Sequence, residues 1–559
     1  MFTWADIDFS GLLTDFFSYQ QGKPLLFTQS VFWVFFAVVL FFYSFLYRFT
    51  VLRSIYLFAI SLFFYFKTSG VFVSLLIFTI MSDYCWGWLI YKNKKKWLRL
   101  IFVTCSVLIN LSLLGYFKYA VFIHNTINEL LGTDYLFVNQ FSVFSNQYFN
   151  SSFSIDKLIL PVGISFFTFQ SLSYIIDLYR MKIKPAANIL EYGFFVCFFP
   201  HLVAGPIVKA HEFMYQIHLP YKLTRREFAM AVFWILNGLG KKTLADYIGV
   251  NFVDRIFDNP NYYSGVEVIL GIFSYSLQIY ADFSGYTDIA IGVALLLGFH
   301  LKTNFNSPYK AQSTSEFWQR WHISLSSWLK EYLYFSLGGN KKGGAGTYLC
   351  TLILAIVFIL LSGKWILFLF IPVIALIFGI LMYYSPAFRK AIHTNINIMI
   401  TMLLGGLWHG SSWMFMIWGG MNGLGIVMHK LWKKISPFRE SQGLIGKIIC
   451  IFITLCFISF TRIWFRSANL EIVSQIFDRI QQHFGLDLLL PILSSYKIVL
   501  MVVFVGYLIH WIPEKTKIGY RNLFCSMPLP LLGFTVLCFV FILYQVMRTE
   551  MQPFIYFQF

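Results

Sequence analysis

Two histidines stand where an apolar chain has little reason to keep them. One lies in GGLWHGSSW (residues 405–413), the other in SEFWQRWHISLSSW (315–328). In the first, Gly405, Gly406 and Gly410 permit close backbone approach around His409, and Ser411 and Ser412 supply hydroxyls. An unperturbed imidazole titrates near neutral pH, so one held in a water-poor tunnel can act as a general base. Deprotonation of a hydroxyl nucleophile is then the natural chemistry. Acyl transfer from a thioester to an alcohol needs a base, a grip on the donor and exclusion of water. No serine nucleophile elbow, DHHC cysteine motif, P-loop or dinucleotide fingerprint offers a covalent or nucleotide-driven route. An isolated histidine in an apolar run is more often a packed core residue, so residue types alone leave packing and catalysis both open.

The elements around these histidines are membrane elements. Of 559 residues, 58% are hydrophobic, 20% aromatic and only 12% charged, against roughly 25% charged in soluble domains. Apolar runs over 24–47, 71–91, 101–122, 347–362, 365–384, 448–465 and 531–547 approach or exceed the ~20 residues needed to cross a bilayer. Including interrupted runs, about ten to fourteen spans are expected. The first twenty residues are acidic and lack a basic leader region, reading as an amphipathic segment at the interface rather than a signal peptide. The net charge of +18 sits in short loops between spans, a topology signal and not a nucleic-acid surface. Arg48, Arg53, the stretch YKNKKKWLR (91–99) and RMKIK (180–184) are expected on the cytoplasmic side, whereas the loop 125–156, with acids and no Lys or Arg, is expected outside. Eight cysteines without CxxC or zinc spacing predict neither a disulfide framework nor a metal site.

Three stretches break the span pattern. Pro200 and Pro206 interrupt FFPHLVAGPIVKAHEF (198–213), which reads as re-entrant, because irregular backbone at membrane depth must be buried in protein or wetted. Asp282 and Asp288 fall inside QIYADFSGYTDIAIGVALLLGF (278–299), and an intramembrane carboxylate must be paired, wetted or functional. Residues 313–340 predict one amphipathic helix with Ser315 as N-cap and Gly338–Gly339 as its end. Its apolar arc holds Phe317, Trp318, Trp321, Leu325, Trp328, Leu329 and Tyr332, its polar arc Glu316, Arg320 and Ser326, and His322 falls on the border.

Taken together, the Asp282–Asp288 segment, NFNSPYKAQSTSEFWQRWHISLSSWLKEYLY (304–334), LGGN and GGLWHGSSW closely resemble the membrane-bound O-acyltransferase superfamily. PVGISFFTFQSLSYIIDLYR (161–180) and FFPHLVAGPI (198–207) are similar to its bacterial branch that contains the membrane subunit of alginate O-acetylation. The resemblance covers roughly residues 20–470. It implies an all-α polytopic fold, a ring of helices around a thin central tunnel with re-entrant and interfacial helices. It implies that His409 is the catalytic residue and that His322 lines the tunnel and is needed for activity. Asp282, Asp288, Glu316, Trp318, Arg320, Ser326, Trp408 and Asn422 are expected to support the tunnel. The chain departs from the family pattern at Gln319, at Asn422, where many members carry histidine, and in an inserted apolar hairpin over 347–384.

The expected organisation is therefore an interfacial segment over 1–23, a catalytic membrane core over 24–470 and additional helices over 471–559. The resemblance implies transfer of an acyl group, acetyl foremost, from a cytoplasmic thioester (acetyl-coenzyme A or an acyl carrier protein) towards an extracytoplasmic polysaccharide. It further implies residence in the bacterial inner membrane, a periplasmic acetyltransferase as a partner and no resident cofactor. D-alanyl transfer to teichoic acid and O-acetylation of peptidoglycan are rival readings on the same fold. A transporter of polysaccharide intermediates, coupled through Asp282 and Asp288, is a third, but no inverted repeat supports it.

Overall fold

The computed structural model describes residues 18–19, 24–149, 153–364, 366–436, 443–546 and 554–555. The interfacial segment expected over 1–23 lies almost wholly outside the described residues. Within them the chain is helical, without a strand. Fourteen helices matter below: α1 (Ser30–Leu46), α2 (Thr50–Ser69), α3 (Val73–Lys92), α4 (Lys96–Leu131), α5 (Ile164–Tyr179), α6 (Arg225–Ile248), α7 (Gly265–Leu296), α8 (Thr314–Arg320), α9 (Ile323–Trp328), α10 (Ala345–Ser362), α11 (Leu367–Tyr384), α12 (Pro386–His409), α13 (Trp413–Ile435) and α14 (Leu444–Arg466).

Among the described residues, seven helices are long and apolar enough to cross a membrane, or up to nine if each bent pair in the tail is one span. This is a multi-pass membrane protein. The larger number expected from sequence also counts elements that fail a strict test of length and apolarity. The helical stretch Thr50–Lys92 covers 43 residues. A straight helix of that length would be about 65 Å, roughly twice the hydrocarbon thickness. It breaks at Gly70, whose φ of 61° and ψ of −131° suit glycine alone. Helix α5 has only 16 residues, with 14 of them buried, so protein rather than lipid surrounds it. The Arg99 guanidinium donates to the carbonyls of Leu178 (3.3 Å) and Tyr179, bringing the basic loops 91–99 and 180–184 to one end of the bundle.

The interrupted stretch 198–213 is buried as far as Ala210, whereas His211 is exposed. It follows the helix Ile189–Cys197 and holds a four-residue helix, Phe199–Leu202, and irregular backbone before the helix Ala210–Ile217. Residues 345–362 and 367–384 form two helices that pack on α12. None of α11 is buried, which leaves its apolar side chains to lipid. After residue 470 come an amphipathic helix, Leu470–Gln482, and two sharply bent pairs, Leu486–Ser495 with Lys497–Trp511 (89°) and Glu514–Ser526 with Leu529–Leu543 (114°).

One close glycine contact sets the spacing of the two central helices. A Cβ on Gly238 of α6 would lie 2.5 Å from the carbonyl oxygen of Gly285 on α7, so only hydrogen allows this approach. The same helices are tied by charge. The Lys242 ammonium donates to Asp282 Oδ1 at 2.7 Å and Asp246 Oδ1 at 2.6 Å, and Lys241 donates to Asp288 Oδ2 at 2.6 Å. Lys242 and Asp282 are each about 1% exposed. The chain also returns to this pair near its end: the Ile555 N–H donates to Asp282 Oδ2 at 2.8 Å, and Phe554 packs edge-on against Tyr286 at 4.6 Å.

Replacing Lys242 by Met would strand a buried carboxylate, at a cost of about 3–5 kcal/mol. Thermal unfolding in detergent is expected to show a large fall for Lys242→Met and a much smaller one for Lys242→Met with Asp282→Asn. Equal losses in the two variants would mean that the charge pair is not what joins α6 to α7.

Candidate active site

The two histidines meet. Ring centroids of His322 and His409 lie 6.3 Å apart with planes at 66°. Both rings are enclosed, with His322 at 0% and His409 at 5% exposure. Trp408 touches both, at 5.9 Å from His322 and 4.9 Å from His409. Phe283 of α7 stands edge-on to His322 at 4.7 Å, while Trp418 and Phe465 stand edge-on to His409 at 5.0 and 5.7 Å. The pair therefore sits in an aromatic box built from α7, α12, α13 and α14.

The helix carrying His322 corrects the sequence expectation. Residues 313–340 do not form one helix. Helix α8 ends at Arg320, His322 adopts a left-handed conformation (φ 45°, ψ 55°), and α9 restarts at Ile323, followed by a wide π turn over Leu329–Tyr334. A left-handed non-glycine residue costs of order 1–3 kcal/mol, and such strain persists where neighbours over-determine it. Here the loop 304–306 does so. The Ile323 N–H donates to the Asn304 carbonyl and the Asn306 N–H to the Arg320 carbonyl, each at 2.9 Å, clamping the break on both sides. The N-cap is also corrected: Ser313, not Ser315, accepts the Glu316 N–H, because the helix begins at Thr314. The apolar arc is buried as its spacing requires, with Phe317, Trp321, Leu325, Trp328, Leu329 and Tyr332 all in the core. His322, placed on the border between the arcs, is wholly inside.

Asn304 also sets the chemistry of His322. Its Oδ1 accepts from Ser324 N–H (3.1 Å) and Oγ–H (2.9 Å) and lies 3.2 Å from His322 Nδ1. With Nδ1 donating into that contact, the proton resides on Nδ1 and Nε2 is the basic nitrogen. His409 ends α12, next to the closest helix crossing in the site. A Cβ on Gly406 would sit 2.3 Å from the Phe415 carbonyl oxygen, and one on Gly419 would sit 2.3 Å from that of Met402. A cavity of about 110 Å³ reaches His409 and is walled by Lys118, Pro161, Ser165, Val203 and Trp408.

The remaining predicted site residues divide into neighbours and braces. Trp408 is a wall of the site, stacked on Phe169 at 5.5 Å. Trp318 meets Trp418 edge-on at 5.7 Å, one ring removed from His409. Glu316 accepts from Arg320 (2.8 Å) and from the Gln312 N–H (2.8 Å), while Arg320 donates to the Asn306 carbonyl (3.1 Å), so this pair braces the clamp loop. Ser326 Oγ donates back to the Trp321 carbonyl at 3.4 Å. Asn422 donates to the Trp418 carbonyl (2.9 Å) and to Thr461 (3.4 Å) within the α13–α14 contact. Asp282 and Asp288 face the lysines of α6, and it is their neighbour Phe283 that reaches His322.

Sequence reasoning missed Asn304, Lys118 and Arg462. Lys118 and Arg462 are lone cations within apolar runs, and the rule that singled out Asp282 and Asp288 applies to them equally. Arg462, 1% exposed, lays its guanidinium over Trp321 at 4.4 Å and near Phe465 at 5.4 Å. Two of its nitrogens, Nε and Nη2, find no acceptor among the described residues. Asn304, a short polar side chain in a loop, carried no comparable signal.

Known proteins share this chain's pattern. A family model for the membrane-bound O-acyltransferase family matches residues 179–398. A peptidoglycan O-acetyltransferase of Helicobacter pylori is 31% identical over 437 residues, spanning 74% of this chain and 70% of the relative. A probable alginate O-acetylase of Azotobacter vinelandii is 34% identical over 62% of this chain, and a teichoic acid D-alanyltransferase of Streptococcus thermophilus is 26% identical over 52%. The match spans 57% of the length of the Azotobacter relative and 60% of that of a Pseudomonas aeruginosa counterpart. With the breadth of the Helicobacter match behind it, the convergence of the two motif histidines has a family setting: this chain belongs to the membrane-bound O-acyltransferase family.

Proposed function

We propose that this protein transfers an acyl group, acetyl foremost, from a thioester donor to a hydroxyl, moving it across the membrane towards an extracytoplasmic polysaccharide. The observation that carries this reading is the enclosed pair of imidazoles 6.3 Å apart, of which His409 lines a cavity. His409 takes the proton of the attacking hydroxyl, whose oxygen forms a bond to the thioester carbonyl carbon. The carbon–sulfur bond then breaks, and the departing thiolate receives the proton that His409 holds. His322, fixed by Asn304 and by its left-handed turn, orients the acyl group with Nε2 facing the reaction. Exclusion of water by the aromatic box favours transfer over hydrolysis.

In this reading the donor is acetyl-coenzyme A or an acyl carrier protein on the side of the basic loops, in a bacterial inner membrane. The acceptor is a polysaccharide, reached directly or through a periplasmic acetyltransferase. The relatives' names support O-acetylation of alginate or peptidoglycan, with D-alanyl transfer to teichoic acid at lower identity. The wider coverage of the Helicobacter relative favours peptidoglycan as the second acceptor to test.

Purified protein in nanodiscs, supplied with an acceptor polysaccharide, is expected to release coenzyme A from labelled acetyl-coenzyme A as the label moves to the acceptor, and His409→Ala is expected to lower that rate by about 10²–10⁴-fold, the range of a lost general base. Equal rates in two folded proteins would show that His409 is a packing residue. Base-labile acetate on purified envelope polymers from cells expressing each form then identifies the acceptor.

A further inference from the structure

Helix α12 ends at the residue that the proposed function makes its base, and its last carbonyls require partners. Gly410 leaves in an extended conformation (φ −158°, ψ 153°), so the chain does not turn back to cap the helix with its own N–H groups. The partners come instead from α4. Tyr119 Oη–H donates to the Leu407 carbonyl at 2.9 Å, and the Lys118 ammonium donates to the Trp408 carbonyl and, at 3.4 Å, to the His409 carbonyl. Two consecutive side chains thus cap three consecutive carbonyls. A regular α-helix turns successive residues about 100° apart, which works against such pairing. The π turn at Gly115–Tyr119 widens α4 at this point, and π turns recur at functional sites for this kind of reorientation.

The third ammonium contact is Ser165 Oγ, 3.3 Å away in the first turn of α5. Lys118 and Ser165 both wall the cavity that reaches His409. All three acceptors are neutral oxygens, so the positive charge is spent on the negative end of the α12 dipole rather than on a carboxylate.

We propose that Lys118 is the positioning residue for His409, resting on the acyl-transfer reading above: its ammonium pins the end of α12 to α4 and α5 and so fixes where the imidazole stands in the cavity. A misplacement of the base by about 1 Å can cost about a hundredfold in rate.

The test compares native protein, Lys118→Met, Lys118→Arg, Tyr119→Phe and His409→Ala in nanodiscs with labelled acetyl-coenzyme A and an acceptor polysaccharide, measuring kcat, KM for the donor and thermal unfolding for each. Lys118→Met is expected to lower kcat about a hundredfold with KM within about threefold of native, because positioning rather than donor binding is lost. Lys118→Arg keeps a cation with several donors and is expected to recover much of kcat. Tyr119→Phe, which removes one of the capping bonds, is expected to fall between native and Lys118→Met. If Lys118→Met turns over at the native rate while His409→Ala is inactive, this inference fails and the acyl-transfer reading stands. If Met and Arg variants lose thermal stability and kcat alike, Lys118 is structural only. If His409→Ala remains active, both fail together.

Discussion

The constraint on which this structure depends is that polar groups placed at membrane depth must be satisfied by protein, because lipid offers no hydrogen bonds. Two imidazoles, a left-handed turn and paired acids sit inside the bundle, and several of these demands are met by donors or acceptors from another part of the chain. The break at His322 is closed by loop 304–306, the end of α12 by α4, and the acids of α7 by the lysines of α6.

These devices also divide the molecule into a frame and a site. Helices α6 and α7 form the frame, drawn together by the Gly238–Gly285 approach and locked by two ion pairs. From that frame Phe283 enters the aromatic box. The site itself is assembled from the α8–α9 break, which delivers His322, and the α12–α13 crossing, which delivers His409. Glycine at 406 and 419 lets that crossing close, and the tryptophans at 408 and 418 line the gap it leaves. Charge in the site is cationic: Lys118 wraps the end of α12, and Arg462 lies on the face of Trp321. Such a surround suits negative charge developing on an acyl oxygen.

Much of this was legible in the sequence and some of it was not, for physical reasons. Helical periodicity gave the buried arc of residues 317–332 because burial follows side-chain direction whether or not the helix is continuous. It could not give the break at His322, since no glycine or proline marks it. The turn is imposed by a loop whose contact residue, Asn304, lies 18 residues upstream of His322 in sequence. Asp282 and Asp288 stood out as intramembrane acids, yet their partners lie 40 and 47 residues away, so pairing and function looked alike. Lys118, a single cation near the end of an apolar run, was not singled out, although the rule that marked Asp282 and Asp288 covers it. Its role depends on a local π turn that residue types do not announce.

The central claim is that His322 and His409 serve one reaction as a unit. A double-mutant cycle tests it most directly: acetyl-coenzyme A turnover in nanodiscs for His322→Asn, His409→Ala and the combined variant, asparagine being chosen because it tolerates the left-handed turn. If the two rings act together, the double variant loses no more activity than the worse single one, as residues of one catalytic unit do. Losses that multiply would mean that the histidines act independently, and the shared reaction centre would be wrong.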